Sequence, residues 1–149
     1  MNEQVERDCM EYDVVVVGGG PSGLSTAIKI KQLAAENKQD VSVCLIEKGS
    51  EIGAHILSGN VFEPTALNEL IPDWKEKGAP LNTPATKDIV KFIISEKFSF
   101  NIPFPSFLIP TFNNHGNYVM SLANFCRWLA SQAESLGAVS YTHLRAHET

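Results

Sequence analysis

Hydrophobic and polar residues follow one another in an order that predicts a strand, a helix and a second strand near the amino-terminal end. Val14–Val17 is an uninterrupted apolar run, typical of a strand buried on both faces at the centre of a parallel sheet. Val41–Ile46 is a second short apolar segment that ends at Glu47. Between them, apolar residues recur at helical spacing up to about Ala35, namely Leu24, Ala27, Ile28, Leu33 and Ala34. We therefore predict a right-handed βαβ unit with parallel strands.

The pattern changes in the second half of the chain. Ile89–Ile94 and Phe98–Ile102 are apolar runs on either side of the polar Ser95–Lys97, which predicts an antiparallel hairpin and the start of a second subdomain. Further on, Ser121 can cap a helix that ends at Gly137. One apolar face of this helix is formed by Leu122, Phe125, Leu129, Ala133 and Leu136.

Three segments lie between or beside these elements. Pro64–Leu70 predicts a short helix with proline in its first turn, and Pro72–Gly78 a further turn that Trp74 anchors by packing. Pro103–Pro110 is rich in Phe, Leu and Ile but contains three prolines, so we expect an extended loop. Such a loop either presents an apolar surface to a partner, a ligand or a membrane, or lies under another part of the protein.

The first predicted strand runs into a glycine cluster in which Gly18, Gly20 and Gly23 fit G-x-G-x-x-G. In a dinucleotide site, the first glycine permits the tight turn, the second lets the backbone approach a pyrophosphate, and the third allows close packing of helix on strand. A helix that begins near Pro21 or Ser22 would direct its free N–H groups and positive dipole end at the phosphates. The glycines alone do not specify which cofactor is bound.

Glu47 lies 24 residues after Gly23, at the carboxyl end of the second strand. A carboxylate there can accept hydrogen bonds from an adenosine ribose diol and would repel a 2′-phosphate, although an exposed acid at a strand end is the simpler alternative. After it, Gly49, Gly53 and Ala54–Gly59 form either a second close approach to a cofactor or an ordinary loop. Within that stretch, His55 is either an acid or base or a residue hydrogen-bonded to backbone.

Composition excludes several classes of function. The 149 residues are enough for one domain with a hydrophobic core, and the net charge of −5 with scattered Lys and Arg argues against nucleic-acid binding. Cys9, Cys44 and Cys126 are too far apart for a metal motif or a disulfide framework, which indicates a reducing compartment. Residues 1–10 lack the features of a secretory or transit signal, and no apolar stretch is long enough for a transmembrane helix.

The last residues are unlike the rest of the chain. After the Ser121–Gly137 helix a nucleotide-binding sheet requires a third parallel strand, but Val139–Thr149 resembles a sequencing adapter translated in frame. We therefore expect residues 139–149 to be a non-native tail and the third strand to be missing. His143 and His147, four residues apart, would then not be a metal pair.

Several longer motifs carry a more specific resemblance than the glycines. The chain resembles the amino-terminal part of the electron transfer flavoprotein:ubiquinone oxidoreductase family from Tyr12 to Gly137, through Gly18–Leu24, Ile46–Lys48, Ile52–His55, Leu57–Gly59, Pro72–Pro84 and Asn113–Tyr118. The resemblance implies an FAD enzyme, peripheral on a membrane, that takes electrons from reduced electron transfer flavoprotein and passes them to ubiquinone. Family members also carry a [4Fe-4S] cluster near the carboxyl end, and none of the three cysteines here has that ligand spacing.

The resemblance also implies roles for individual residues. Gly18, Gly20, Pro21, Ser22 and Gly23 would hold the FAD pyrophosphate and Glu47 the adenosine ribose. Lys48 and Gly53 would supply neighbouring backbone, and the segment with Ser58 and Gly59 would run toward the flavin. Membrane and quinone contact would fall to Phe104, Phe107, Leu108 and Ile109. We assign no catalytic acid or base, for which His115 is the candidate, and we expect a bacterial protein at the cytoplasmic face of the inner membrane.

The predicted fold class is α/β: a Rossmann-like βαβ FAD-binding unit with an incomplete parallel sheet, followed by the start of an antiparallel β subdomain. We expect the FAD-binding unit and its loops at 1–88, the hairpin and apolar loop at 89–120, a returning helix at 121–138 and the tail at 139–149. Two alternatives stay open. One is another flavoprotein of this fold, similar to geranylgeranyl reductases or hydroxylases, and the other is a truncated chain with no activity of its own.

Overall fold

The computed structural model describes residues 9–57, 59–102 and 113–142. Within these ranges there are three helices, α1 (Pro21–Glu36), α2 (Thr65–Leu70) and α3 (Leu122–Ser135). The strands are β1 (Val14–Val17), β2 (Val43–Ile46), β3 (Asn60–Phe62), β4 (Thr83–Pro84), β5 (Lys91–Ser95), β6 (Phe98–Asn101), β7 (Tyr118–Met120) and β8 (Ala138–Tyr141). The described residues fall into two compact units, with boundaries between Ile56 and Leu57 and between Phe125 and Cys126.

The first unit contains the predicted βαβ arrangement. β1 pairs in parallel with β2 from Val14–Val43 to Val17–Ile46, and α1 connects the two strands. Helix α1 begins at Pro21, whose fixed φ suits the first helical turn, and its buried residues are Leu24, Ala27, Ile28 and Ala34. The predicted α/β fold with a Rossmann-like unit is therefore confirmed. Leu33 was predicted to be on the apolar face, but it is 44 % exposed because it lies at the edge of that face near the helix end.

The third parallel strand, which we expected to be missing, is present. Strand β8 pairs in parallel with β2 from Val43–Ala138 to Ile46–Tyr141 and gives the sheet order β1-β2-β8. The Tyr141 hydroxyl also lies 3.0 Å from the Tyr12 hydroxyl, and this hydrogen bond raises the pKa of Tyr12 to about 12. The adapter origin of residues 139–149 stays a prediction, and residues 143–149 lie outside the described ranges.

Among the described strands, β1 lies at one edge of the parallel sheet, whereas its four valines suggested a central position. Among the described strands it pairs only with β2, and Val15 and Val17 are 50 % and 81 % exposed on one face. Strand β2, with a neighbour on each side, is the buried one, since Val43, Cys44 and Leu45 are all nearly inaccessible. A run of β-branched residues indicates a strand but does not fix its place in the sheet order.

The second unit is antiparallel. β3 and β4 both pair with β7 in a three-stranded sheet, and β5 pairs with β6 in a separate hairpin. The hairpin lies where the hydrophobic pattern predicted it, but antiparallel pairing already starts at Asn60 and not at residue 89. A three-residue strand such as β3 is too short to show a period of two, so the sequence pattern did not indicate it.

Trp74 anchors the loops of the second unit, as predicted. Its side chain is 4 % exposed, its indole N–H donates to Asn68 Oδ1 at 2.7 Å, and its ring lies edge-on to Tyr118 with centroids 5.8 Å apart. The buried indole therefore joins α2 to β7, with its polar atom satisfied. Gly78, at φ +70°, closes the turn that follows.

Asp88 joins the two ends of the segment that carries the hairpin. Its carboxylate accepts hydrogen bonds from the Asn114 backbone N–H at 3.0 Å and from Asn114 Nδ2 at 2.8 Å. These two bonds also hold the pKa of Asp88 below its ordinary value. Asp88 and Asn114, which lie on either side of the segment from 89 to 113, are therefore held next to each other within the second unit.

Helix α3 begins after Ser121 and ends before Gly137, which has a φ of +86°. Its predicted apolar residues Phe125, Leu129 and Ala133 are buried, whereas Leu136 lies beyond the last helical residue and is 39 % exposed. Cys126 is fully buried and behaves as a small packing residue. No helix in the described parts of the chain has both the length and the apolar character needed to cross a bilayer.

Asp13 and Ser42 form a bracket that aligns the beginnings of β1 and β2. Asp13 Oδ2 accepts from Ser42 N at 2.8 Å and from Ser42 Oγ at 2.6 Å, and Asp13 N donates to Ser42 Oγ at 2.9 Å. The hydroxyl bond, followed by the backbone bond, lowers the pKa of Asp13. A lowered folded-state pKa means that this stabilisation is complete above the unfolded pKa and is lost as pH falls through the folded value.

We expect the Asp13→Asn variant to lose less of its free energy of unfolding than the wild type as pH falls below about 4, the ordinary pKa of Asp. Urea unfolding followed by circular dichroism at several pH values between about 2 and 6 measures this difference in slope. Glu47 and Asp88 also have lowered pKa values and remain in both proteins, so they cancel in the comparison. Parallel curves for the two proteins would contradict a stabilising role for the bracket.

Candidate dinucleotide site

The turn from β1 to α1 has the backbone geometry that a dinucleotide turn requires. Gly18 adopts φ +107°, a region that L side chains rarely enter, and its N–H donates to Ile46 O at 2.7 Å. Gly20 is the N-cap residue of α1, with an extended backbone, and Pro21 follows as the first helical residue. The turn therefore leads directly from the strand end into the amino-terminal end of the helix.

Gly23 is required by packing. A Cβ atom built at Gly23 would collide with the backbone carbonyl oxygen of Gly18 and would lie 3.3 Å from Val16 Cγ1. Since the blocking atom belongs to the backbone, it cannot move aside as a side chain could. The third glycine thus has the role that the sequence assigned to it, which is to let the helix approach the strand closely.

Gly20 differs from Gly23 because its surroundings are open. A Cβ built there would meet no protein atom within 4 Å. The glycine is consequently not needed to pack the protein against itself, and its half-buried backbone leaves room for the approach of a ligand. The first turn of a helix, with free N–H groups and a positive dipole end, is suited to a phosphate.

The Glu47 carboxylate lies beside this turn and is held by two backbone amides. Its Oε2 accepts from Gly19 N at 2.7 Å and its Oε1 accepts from Gly49 N at 2.8 Å. These two bonds, that to Gly49 first, lower the pKa of Glu47, with smaller contributions from nearby His55 and Lys48. The acid at the strand end is thus charged and fixed next to the glycine turn.

The loop after β2 continues from this acid. Lys48 is exposed, and Gly53 is buried with φ +87°. Arg127 Nη2 on α3 contacts Glu51 Oε1 at 2.8 Å and ties the loop to that helix. This ion pair is largely exposed, so we expect it to contribute at most about 1 kcal/mol.

The remaining predicted site residues are not part of this cluster as described. Gly59 belongs to the second unit and has φ +96°, while Ser58 and the membrane-contact residues Phe104, Phe107, Leu108 and Ile109 lie outside the described ranges. His55 is exposed on the turn near Glu47, and His115 is exposed on the turn next to Asp88. Neither position gives a catalytic assignment.

Sequence reasoning missed the roles of Gly19 and Gly49 as donors to Glu47. The G-x-G-x-x-G pattern treats Gly19 as a free position, and Gly49 was seen only as part of a stretch of small residues. The usable signal is a glycine two residues after the acid together with an additional, fourth glycine inside the fingerprint, because both positions lack a Cβ next to the carboxylate.

The residues of the first unit fit the pyrophosphate and ribose of a dinucleotide. The open backbone at Gly20 and the helix start at Pro21 suit a diphosphate, and a fixed carboxylate at Glu47 suits a ribose diol. No charged side chain is needed for the phosphate contact in this arrangement, since backbone N–H groups supply it.

We expect Gly23→Ala to destabilise the chain by several kcal/mol or prevent folding, because the added methyl meets an immovable carbonyl. Gly20→Ala is the matched control, since its methyl enters open space and alanine in place of glycine at an N-cap costs only about 1 kcal/mol. Thermal unfolding by circular dichroism compares the two variants with the wild type. Equal melting temperatures for both variants would contradict the assigned packing role of Gly23.

Comparison with known proteins agrees with this geometry. The family profile described as NAD(P)-binding Rossmann-like domain matches residues 16–79, which contain the glycine turn and Glu47. Among solved structures, aklavinone-11 hydroxylase in complex with FAD and aklavinone is similar with a TM-score of 0.61 at 18 % identity, over 92 % of this chain and 26 % of that one. A geranylgeranyl bacteriochlorophyll reductase-like protein from Thermoplasma acidophilum is similar with a TM-score of 0.55 at 25 % identity, over 89 % of this chain and 30 % of that one.

Curated relatives with much higher sequence identity to this chain have a different name from these two solved structures. Electron transfer flavoprotein-ubiquinone oxidoreductase of Pseudomonas aeruginosa is 58 % identical over 97 % of this chain and 26 % of that protein. The mitochondrial electron transfer flavoprotein-ubiquinone oxidoreductase of Rattus norvegicus is 52 % identical over 97 % of this chain and 23 % of that protein. The chain therefore spans about a quarter of the length of the curated relatives it matches. The predicted resemblance is confirmed: over nearly its whole length, this chain is similar to the amino-terminal part of electron transfer flavoprotein-ubiquinone oxidoreductases.

Proposed function

We propose that this chain is the amino-terminal, FAD-binding part of an oxidoreductase that passes electrons from reduced electron transfer flavoprotein to ubiquinone. The observation that carries the proposal is the identity of 58 % over 97 % of the chain to a relative of that name. The geometry of the turn supports a dinucleotide cofactor, and the identity supports this oxidoreductase among the proteins that share the fold.

Two segments of the chain would share the binding of FAD. Gly18, Gly20, Pro21, Ser22 and Gly23 would hold the pyrophosphate through backbone N–H groups, and Glu47 would accept the ribose hydroxyls. Lys48 and Gly53 would add backbone contacts, and Ser58 and Gly59 would continue toward the flavin. When bound, FAD supplies the redox chemistry, and the protein supplies binding, orientation and electrostatics.

The contact with membrane and quinone is proposed for the apolar segment Phe104, Phe107, Leu108 and Ile109. The hairpin that precedes this segment supports the idea, because it is unusually apolar for an exposed element. Phe92 and Phe100 face each other with ring centroids 5.6 Å apart, and both are about half exposed. Exposed apolar surface of this kind is typical of a membrane or protein contact. The protein would lie peripherally on the cytoplasmic face of a bacterial inner membrane.

Two alternatives have specific support. Similarity in fold to a hydroxylase and to a geranylgeranyl reductase-like protein favours another flavoprotein of this architecture, although the identities are only 18 % and 25 %. The other alternative is a chain without activity of its own, since the residues of the glycine turn and Glu47 account for only part of an FAD site. The [4Fe-4S] cluster is proposed only for the part of the protein that follows this chain.

We expect the 149-residue chain to bind FAD weakly and to lack quinone reductase activity. The reason is that the glycine turn and Glu47 account for only the adenosine diphosphate part of the cofactor. Flavin fluorescence quenching during titration with FAD measures the affinity. Yellow protein with stoichiometric flavin after purification would contradict weak binding.

The complete protein, obtained from uninterrupted downstream nucleotide sequence, is expected to encode cysteines with ferredoxin-like spacing and to reduce ubiquinone with reduced electron transfer flavoprotein. In that protein, Gly20→Ala should weaken FAD binding by about 5- to 100-fold, because the methyl occupies the space where the pyrophosphate approaches. Lys29→Ala, on the exposed side of the same helix, is the matched control. Hydroxylation or reduction of another substrate with no response to reduced electron transfer flavoprotein would overturn the proposal.

A further inference from the structure

The two oxygens of Glu47 are both engaged by the protein itself. Oε2 accepts from the N–H of Gly19 in the turn after β1, and Oε1 accepts from the N–H of Gly49 in the turn after β2. The carboxylate therefore lies between two segments that are 30 residues apart in sequence. A contact made only with a ribose would not require this arrangement.

Steric crowding shows how closely the carboxylate is enclosed. A Cβ at Gly19 would lie 3.1 Å from Glu47 Oε2 and 3.1 Å from Ile52 Cγ1, and a Cβ at Gly49 would lie 3.1 Å from Glu47 Oε1. Neither glycine has a positive φ, so the backbone conformation alone does not require glycine at these positions. The close approach of the carboxylate contributes to the need for glycine at both positions, together with Ile52 at Gly19 and with the Glu51 carbonyl oxygen and His55 Nδ1, at 3.2 and 3.4 Å, at Gly49.

We infer that Glu47 is a positioning residue in addition to a cofactor ligand. Through its hydrogen bonds to Gly19 and Gly49, its carboxylate ties the glycine turn to the loop after β2 before any cofactor binds, and Gly49 is its specific partner in that loop. The part of this inference that concerns cofactor rests on the proposed function. An ionised carboxylate has about four acceptor sites, so two remain for ribose hydroxyls after the amides have bound. The two tasks of Glu47 are therefore compatible.

Hydrogen bonding of Glu47 to both segments before the cofactor binds should increase the affinity for the cofactor. The pyrophosphate and the ribose of one cofactor must be met by two separate segments, and ordering loops at the moment of binding lowers affinity. If the carboxylate already fixes both segments, that ordering cost is met when the protein folds. Loss of the tie should therefore weaken cofactor binding even when no ligand contact is removed.

The decisive test measures amide hydrogen exchange in the cofactor-free chain by NMR. In Gly49→Ala the methyl would crowd Glu47 Oε1 at 3.1 Å and is expected to shift the carboxylate, so the amide of Gly19 should exchange about tenfold faster or more, although Gly19 is remote in sequence. Gly20→Ala adds a methyl at the other side of the turn and should leave the amide of Gly49 unchanged. Equal Gly19 exchange rates in Gly49→Ala and wild type would overturn the inference.

The Glu47→Gln variant gives an independent result. Glutamine keeps one carbonyl oxygen and replaces the other with an NH2 group, which cannot accept a hydrogen bond. One of the two glycine amides should therefore exchange faster, and the other should stay protected. Protection of both amides in Glu47→Gln would show that the carboxylate is not the tie.

A titration of the wild type decides the question if the variants fail to fold. The amide proton shifts of Gly19 and Gly49 should change with one common midpoint, equal to that of the Glu47 carboxyl carbon and below the ordinary value for glutamate. His55 and Lys48 are the other charged groups beside the carboxylate, so His55→Gln serves as the control for a titrating neighbour. Different midpoints for the two amides would overturn the inference.

The cofactor part of the inference is tested last, in the complete protein. Gly49→Ala should lower FAD affinity several-fold, with the Gly19 exchange rate raised in the same variant. Faster exchange with unchanged FAD affinity would overturn the positioning role while leaving the proposed function intact. Failure of the wild-type complete protein to bind FAD would instead reject the proposed function and leave the exchange results unaffected.

Discussion

The close approach of the Gly18 carbonyl to the Cα of Gly23 is the constraint on which the first unit depends. It sets how near α1 can come to the end of β1, and it excludes every side chain larger than hydrogen at residue 23. This contact determines where the helix starts, and the start of the helix determines the direction of the free N–H groups in its first turn. The buried residues Leu24, Ala27 and Ile28 on that helix then pack as the start position dictates.

The electrostatics of the turn follow from the same arrangement. A carboxylate near the amino-terminal end of a helix is favoured by the helix dipole, and Glu47 also accepts hydrogen bonds within 2.8 Å from the backbone N–H groups of Gly19, before the helix, and Gly49, in the loop after β2. The carboxylate therefore remains charged at neutral pH despite being partly buried. A charged acid fixed beside a helix start combines an acceptor for hydroxyl groups with donors for phosphate in one small region.

The sequence was sufficient to predict the βαβ unit, the hairpin and the anchoring role of Trp74, because each has a long or distinctive hydrophobic pattern. It could not place β1 at the sheet edge, since Val14–Val17 would read the same in a central strand. We also predicted from the sequence that the third parallel strand would be missing, because the resemblance of Val139–Thr149 to an adapter outweighed the apolar character of what is strand β8. Pairing of β8 with β2 depends on the neighbouring backbone, to which the alternating Ala138–Tyr141 segment is well suited. The hydrogen bond from the Gly19 N–H to Glu47 is a tertiary contact between residues 28 positions apart in sequence. A fingerprint of local spacing does not contain such a contact.

The Asp88–Asn114 contact has a consequence for how this architecture can vary. Because the carboxylate joins the residues on either side of the segment from 89 to 113, we expect a change in the length of that segment to act on stability mainly through loop closure. Each doubling of a flexible loop adds only about 0.6 kcal/mol of closure entropy. We therefore expect the chain to tolerate insertions and deletions in this segment, with Asp88 and Asn114 as its fixed attachment points.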